Sequence, residues 1–447
     1  MGLLERIEQR KQSQTDEAPD ESKKAARYAD AFENLKNRIH QEAINEINKA
    51  NIIPDKRENN DDIQKILDEI IAVEADDLNR ADRFRIMEEV LNEITGYGPL
   101  EVLLKDPAVS EIMVNGPHKV FIEKQGKIQL SDVCFKDNEH VMNIIDRIVS
   151  TVGRHVDESS PMVDARLSDG SRVNVIIPPL SLVGPVITIR KFSKKPITVE
   201  QLLNFGSLSQ KMVSFLEACV KGKLNIIVSG GTGSGKTTLL NVLSSFIPDN
   251  ERIITIEDAA ELQLLQEHVI TLESRPANLE GKGQISIRQL VKNALRMRPD
   301  RIIVGEVRSA ETIDMLQAMN TGHDGSLTTI HANSPRDAVS RIETMILMSG
   351  MELPLRAIRD QATSAIDIII QQSRLRDGTR KVINITEVVG MEGDVIVMQD
   401  LFNFETTGQL DATGKFKGVF RSSGVRPHCL EKIIHNGVMV NDDWFID

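Results

Sequence analysis

Gly230-Gly231-Thr232-Gly233-Ser234-Gly235-Lys236-Thr237 decides how this chain is read. The apolar run Leu224-Asn225-Ile226-Ile227-Val228 precedes it and predicts a buried strand. Thr238-Leu239-Leu240-Asn241-Val242-Leu243 comes after it and predicts the start of a helix. Strand, glycine-rich loop and helix in that order are the context in which G-x-x-x-x-G-K-[ST] holds phosphate. Glycines let the backbone curl until successive N–H groups point at phosphate oxygens. The helix start adds its positive dipole end. Lys236 supplies a point charge for the β- and γ-phosphates, and Thr237 a hydroxyl for Mg²⁺. Gly230, Gly231, Thr232, Gly233, Ser234, Gly235, Lys236, Thr237 and Thr238 are the expected nucleotide-binding residues.

Working outward toward the C-terminus, three further stretches suit a nucleotide-hydrolysing site. Thr255-Ile256-Glu257-Asp258 closes the next strand, Arg252 to Glu257. Carboxylates at strand ends are where α/β sites are built, and Glu257 can orient an attacking water. Arg301-Ile302-Ile303-Val304-Gly305-Glu306 is an apolar strand ending in an acid, as a Walker B strand does, with Gly305 where an Asp is usual. Mg²⁺ is then expected to rest on Thr237, phosphate and water, with Glu257 and Glu306 close behind. His323 and His331 flank a strand rich in Ser and Thr, which suggests a sensor of the γ-phosphate. Phosphoryl transfer benefits from a guanidinium. No arginine directly follows the loop, so one is expected from another domain or subunit. Beyond Asp367 short strands are expected as far as Phe404, and the tail from Gly408 carries no readable motif.

Toward the N-terminus, residues 1–25 read as a polar, disordered lead. Phe32, Leu35, Ile39, Ala43 and Ile47 recur at helical spacing; Ile63, Leu67 and Ile70 make a second apolar face, and Met87, Val90 and Ile94 a third. A helical bundle over 26–96 is expected, separated from the next domain by Gly96-Tyr97-Gly98-Pro99. From Ile112 the period becomes two, and a small α+β domain is expected over 97–190, with a helix from about Glu139 to Val152. Its strands carry Arg166, Arg172 and Arg190, the candidate guanidinium donors. Residues 191–204 read as a linker, and 205–447 as the P-loop domain with a C-terminal extension.

The chain has 54 basic and 66 acidic side chains, a net charge of −12. That opposes nucleic-acid binding, which draws on a basic field. Cys134, Cys219 and Cys429 stand far apart, so neither a disulfide framework nor a zinc site is implied, and a reducing compartment fits. No apolar run approaches the ~18–20 residues needed to span a membrane, and the expected place is the cytoplasm without membrane insertion.

The succession of the glycine loop, Ile256-Glu257-Asp258, Val304-Gly305-Glu306 and Thr321-Gly322-His323 … Thr329-Ile330-His331 resembles the Walker A, Asp box, Walker B and His box of type II/type IV secretion ATPases. Arg154-His155-Val156-Asp157, Asp164-Ala165-Arg166-Leu167-Ser168-Asp169-Gly170-Ser171-Arg172, Arg296-Met297-Arg298-Pro299-Asp300 and Met319-Asn320-Thr321-Gly322-His323-Asp324-Gly325-Ser326 are similar to the CpaF branch, the Tad (type IVc) pilus assembly ATPases. The resemblance implies an α/β fold: a RecA-like P-loop ATPase domain preceded by a small α+β (PAS-like) domain and the helical bundle. It implies ATP and Mg²⁺ as ligands, a homohexameric ring, nucleotide between the small domain and the P-loop domain, and inner-membrane pilus platform proteins as partners. The chain lacks the four-cysteine zinc module of many relatives, which favours the CpaF or VirB-type branches. A VirB-type secretion ATPase and a RecA-like DNA translocase are the alternatives. The acidic charge and scarce aromatic residues argue against the second.

Overall fold

Both faces of Ile226-Ile227-Val228 are apolar, so the strand they form has no solvent side and belongs between two layers. The computed structural model describes residues 21–446 apart from 53–58, 125, 152, 193–195, 278–281 and 412–413. It divides into two compact units, Met1–Phe192 and Ser193–Asp447.

In the first unit, α1 (Glu21–Lys49), α2 (Asn60–Glu74) and α3 (Arg80–Thr95) bury Ile39, Ile63, Leu67, Ile86 and Val90 against one another. The Asn79 side chain accepts from the Asp82 amide and so caps the start of α3. A short helix, α4 (Leu100–Lys105), leads into β1 (Val109–Asn115), β2 (Val120–Lys124) and β3 (Lys127–Leu130). After α5 (Asn138–Ser150) come β4 (Met162–Arg166), β5 (Arg172–Ile176) and β6 (Val186–Arg190). The six strands form one sheet in the order β3-β2-β1-β6-β5-β4, antiparallel throughout. Val141, Ile144, Ile145 and Ile148 of α5 share a core with Ile112, Val114, Val173, Val175, Ile187 and Ile189. The bundle has its own core but is tied to this layer. His140 Nε2 lies 3.0 Å from Glu93 Oε2, and Arg147 donates at 2.8 Å to the Glu93 carbonyl at the end of α3.

The second unit opens with α6 (Val199–Asn204) and α7 (Gln210–Lys221), followed by β7 (Ile226–Gly230), α8 (Lys236–Ser244), β8 (Ile253–Glu257) and β9 (Val269–Glu273). Next come α9 (Ile287–Ala294), β10 (Arg301–Val304), α10 (Glu311–Asn320), β11 (Leu327–Ile330), α11 (Pro335–Met348) and α12 (Leu355–Ala365). The chain closes with β12 (Ile368–Arg374), β13 (Arg380–Glu392), β14 (Val395–Leu410), β15 (Phe416–Ser422), α13 (Leu430–His435) and a 3-10 turn, Asp442–Phe445. The sheet order is β15-β14-β13-β12-β7-β11-β10-β8-β9. From β12 to β9 neighbours are parallel, and β13, β14 and β15 add antiparallel strands at one side. Ile226 and Val228 face one core, with α7 and α8, and Ile227 faces the other, with α9 to α12.

Several expectations change here. Residues 191–204 were expected as a linker, but the segment ends in α6, started by a capping box of Thr198 and Gln201. The strands after Asp367 were expected to be short, yet β13 spans 13 residues and β14 spans 16. The tail without a motif adds Leu430, Ile433 and Phe445 to the core around Phe215 and Phe402. The expected lead of 1–25 lies outside the described residues as far as Asp20, and Glu21 already opens α1.

Candidate functional site

Parallel strands put all their C-terminal ends on one edge, and in this sheet four of those ends meet there. The glycine loop leaves β7, Glu257 is the last residue of β8, Glu306 follows β10 and His331 follows β11. Gly233 and Gly235 adopt φ of 69° and 96°, the left-handed turns that curl the loop into a nest. Lys236 opens α8, is 8% exposed, and donates at 3.1 Å to the Gly231 carbonyl. Its ammonium lies 3.3 Å from Nε2 of His331. Burial and then the Lys236 charge lower the His331 pKa from its ordinary 6.5, so the ring is neutral at pH 7. The same nitrogen, His331 Nε2, stands 3.0 Å from Oε1 of Glu306. The contact is off the line of a hydrogen bond, and that buried oxygen has no hydrogen-bond partner. Lys236, His331 and Glu306 therefore form one contact chain at the sheet edge.

Glu257 is 3% exposed. Burial raises its pKa to about 7; backbone hydrogen bonds from Glu261 and Leu262 oppose the rise, and the carboxylates of Glu261 and Glu273 add to it. Its Oε1 accepts from the Glu261 amide at 3.0 Å and the Leu262 amide at 3.2 Å, which holds the carboxylate in place. Beside it runs Gly305, bonded by its amide to the Ile256 carbonyl at 2.8 Å. A Cβ at Gly305 would lie 2.7 Å from Glu257 Cγ. A side chain at Gly305, where an Asp is usual before a Walker B Glu, would collide with Glu257.

The oxygen donors at this edge suit Mg²⁺, a hard cation that keeps several waters. Thr237 stands half-buried in the first turn of α8, and the orphaned Oε1 of Glu306 is a buried acceptor still needing a donor such as a metal-bound water. No group of three or more His, Cys, Asp or Glu among the described residues could by itself hold a metal ion. The ion would share Thr237 with the nucleotide phosphates.

The structure does not bring every candidate together. Ile330 pairs with Ser229 and Leu327 with Ile226, so His323 precedes the far end of β11 from His331. The strand's rise of ~3.3 Å per residue keeps the first histidine from the phosphate edge. His323 instead anchors its own turn, with its carbonyl accepting from Ser326 Oγ at 2.8 Å. In the first unit Arg166 pairs with Arg172, and Arg172 with Arg190, so the three arginines form a row across β4, β5 and β6.

Other residues at the phosphate edge belong to no motif in the sequence. Arg308 donates to Glu306 Oε2 at 2.6 Å and stands 3.6 Å from Asp258 Oδ2, tying the two acidic strand ends together. Its position two residues after Glu306 was the available signal. Arg374 and Arg380 pair across β12 and β13, and Arg380 Nε donates to the Gly233 carbonyl at 2.9 Å. Both arginines come from the unit that holds the loop, and Arg380 contacts a loop carbonyl; the guanidinium expected from another domain or subunit is a different one, for the γ-phosphate. Only the pairing of β12 with β7 brings Arg374 and Arg380 to the loop.

A phosphate nest at the C-terminal edge of a mostly parallel sheet, with two acids and a histidine beside it, defines a P-loop nucleotide-binding protein. The family model for type II/IV secretion system proteins matches residues 93–403, and the chain belongs to that family. It is 32% identical over 339 residues to the type IV secretion system protein VirB11 of Bartonella quintana, covering 67% of this chain and 93% of that one. It is 31% identical over 297 residues to the conjugal transfer protein TrbB of Rhizobium radiobacter, covering 65% of this chain and 86% of that protein. The crystal structure of the VirB11 ATPase from the Brucella suis type IV secretion system in complex with sulphate matches at 30% identity and a TM-score of 0.36, over 64% of this chain and 91% of that one. No helix among the described residues is long and apolar enough to cross a membrane.

Proposed function

We propose that this chain is a cytoplasmic, homohexameric ATPase that drives pilin assembly at the inner membrane through pilus platform proteins. The observation that carries the hydrolytic reading is the Lys236–His331–Glu306 contact chain beside a buried Glu257 with a pKa of about 7. A general base works best when its pKa lies near the working pH. Lys236 neutralises the β- and γ-phosphates, and the loop N–H groups and the start of α8 receive their oxygens. Glu257 orients water and takes its proton as the water attacks the γ-phosphorus and ADP leaves. Neutral His331 offers a ring N–H to a γ-phosphate oxygen, and Arg308 holds Glu306 in place. Mg²⁺, when bound, screens the phosphate charge. The row Arg166, Arg172 and Arg190 supplies the finger. His323 takes no part, because it stands at the other end of β11.

Motifs such as Met319 to Ser326 favour the Tad pilus reading. The similarity to VirB11 and TrbB favours a second reading, a VirB-type secretion ATPase. Phosphate release by the purified full chain with Mg²⁺ and ATP tests the hydrolytic step, and Lys236→Ala is expected to abolish it. Normal turnover in that variant would refute the site. Deleting the gene in its native host separates the two readings: loss of pili with secretion intact supports the first, and the reverse supports the second. Turnover stimulated by DNA would instead point to a translocase.

A further inference from the structure

The hairpin of β12 and β13 lies directly against the glycine loop. Gln372 pairs with Gly230 in the parallel ladder, and Arg374 pairs with Arg380 across the turn Leu375–Thr379. Asp377 shapes that turn by accepting from the Thr379 amide and hydroxyl at 2.9 and 2.7 Å. The hairpin therefore presents its two arginines from a defined turn.

Its contacts fall on the glycines. A Cβ at Gly235 would meet Arg380 Cδ at 3.2 Å and Gln372 Nε2 at 3.3 Å. At Gly230 it would meet the Gln372 carbonyl at 2.4 Å. At Gly233 it would lie 3.7 Å from Arg374 Nη1. The loop thus has a wall of β12 and β13 backbone and side-chain atoms packed on its glycine side.

The bond from Arg380 Nε to the Gly233 carbonyl, at 2.9 Å, has a consequence inside the nest. The peptide joining Gly233 to Ser234 is planar and trans, so its C=O and N–H point in opposite directions. Holding the carbonyl toward the hairpin turns the Ser234 N–H the other way. That N–H makes a long 3.4 Å contact to the Gly231 carbonyl, a weak bond that a phosphate oxygen can displace. Orienting the peptide before the nucleotide arrives removes part of the ordering cost of binding.

We propose that Arg380 is a positioning residue for the phosphate nest, fixing the Gly233–Ser234 peptide so that its N–H faces the nucleotide, with Arg374 adding positive charge beside the same peptide. The assignment rests on the reading of Gly230–Thr238 as a nucleotide site. A peptide fixed in advance favours ground state and transition state alike, so its loss raises KM and leaves kcat. A charge-assisted hydrogen bond at an exposed position is worth about tenfold in affinity. The Arg374 contribution is a field effect that salt screens over about 10 Å at 0.1 M.

The test titrates fluorescently labelled ADP with Mg²⁺ into full-length wild type, Arg380→Ala, Arg380→Lys and Arg374→Ala, with melting temperatures and steady-state ATP kinetics on each. For Arg380→Ala, affinity is expected to fall about tenfold and KM to rise to match. Its kcat should stay within about threefold of wild type and its melting temperature should not change. Arg380→Lys, which keeps a charged donor, recovers most of the affinity. Arg374→Ala loses less, and its loss disappears at high salt. Wild-type affinity in Arg380→Ala would overturn the proposal while leaving the nucleotide site intact. So would a fall in kcat at unchanged KM, or a loss that Arg380→Lys does not recover. A wild-type chain that binds no ADP would instead overturn the nucleotide-site reading, and this proposal with it.

Discussion

Replacing Gly305 by Ala puts one methyl group into the crowded contact beside Glu257. The new Cβ would lie 2.7 Å from Glu257 Cγ and 3.2 Å from its Oε1. Ordinary carbon–carbon contacts are about 3.5–4.0 Å, so Glu257 must retreat by roughly 0.8 Å or the backbone of β10 must shift. Neither is easy. Glu257 is pinned through Oε1 by the amides of Glu261 and Leu262 at 3.0 and 3.2 Å. Gly305 is held by its amide to Ile256 and by its carbonyl, which accepts from Thr329 Oγ1 at 2.7 Å. Overpacking of this kind costs about 1–3 kcal/mol. At roughly 2–4 °C per kcal/mol, that lowers the melting temperature by about 2–12 °C. Displacing a catalytic carboxylate by about 1 Å costs on the order of 10²-fold in turnover. Phosphate release and a thermal melt measure both effects. Gly231→Ala serves as a control for the melt alone, since its Cβ would meet no atom within 4 Å but the residue belongs to the phosphate loop. A Gly305→Ala chain with wild-type melting temperature and turnover would refute the reasoning. So would a Gly305→Asp chain that works better by regaining the missing acid.

Glu257→Gln is expected to bind ATP yet slow hydrolysis by about 10²–10⁴, the usual worth of a positioned base, and normal turnover would remove Glu257 from that role. The folded pKa of about 7 lies above the ordinary 4.5, so the native state holds this proton more tightly than the unfolded chain. Stability from this group therefore falls as pH rises from about 4.5 through 7, by up to about 3 kcal/mol, while turnover rises over the upper part of that range. The Gln variant should lose that slope and melt above wild type at pH 8, and an unchanged slope would contradict the assignment. Arg172→Ala and Arg190→Ala are expected to cut turnover by up to about 10³ with little change in nucleotide affinity; unchanged kinetics in both would make them surface arginines. A chain starting near Thr95 is expected to form rings and hydrolyse ATP in solution but to fail in pilus assembly. Size-exclusion chromatography and phosphate release check this. An aggregated product would show that the ties through Glu93 to His140 and Arg147 are needed for folding.

Local chemistry was enough to single out Lys236, Glu257, Glu306 and His331 as candidates, and the structure places all four at one sheet edge. A glycine loop between an apolar strand and a helix, and acids at the ends of apolar strands, are short-range patterns. Their meaning does not depend on which strand lies beside which. The alternating residues of β5 and β6 announced a small sheet in the same way, and the neighbours Arg172 and Arg190 followed from it. What needed the tertiary structure was every fact about which ends of strands meet. His323 and His331 look equivalent in sequence, and only the parallel register of β11 on β7 puts one at the phosphate edge and the other at the opposite end. Gly305 reads as a lost acid until β10 is set beside β8 and Glu257 is seen to fill the space. Arg380 lies far down the chain from Gly233, and nothing local relates them until β12 pairs with β7. Periodicity records which side of an element is buried. The partner across a parallel ladder is chosen by long connections and by packing of the whole sheet, and no short stretch of sequence carries that choice.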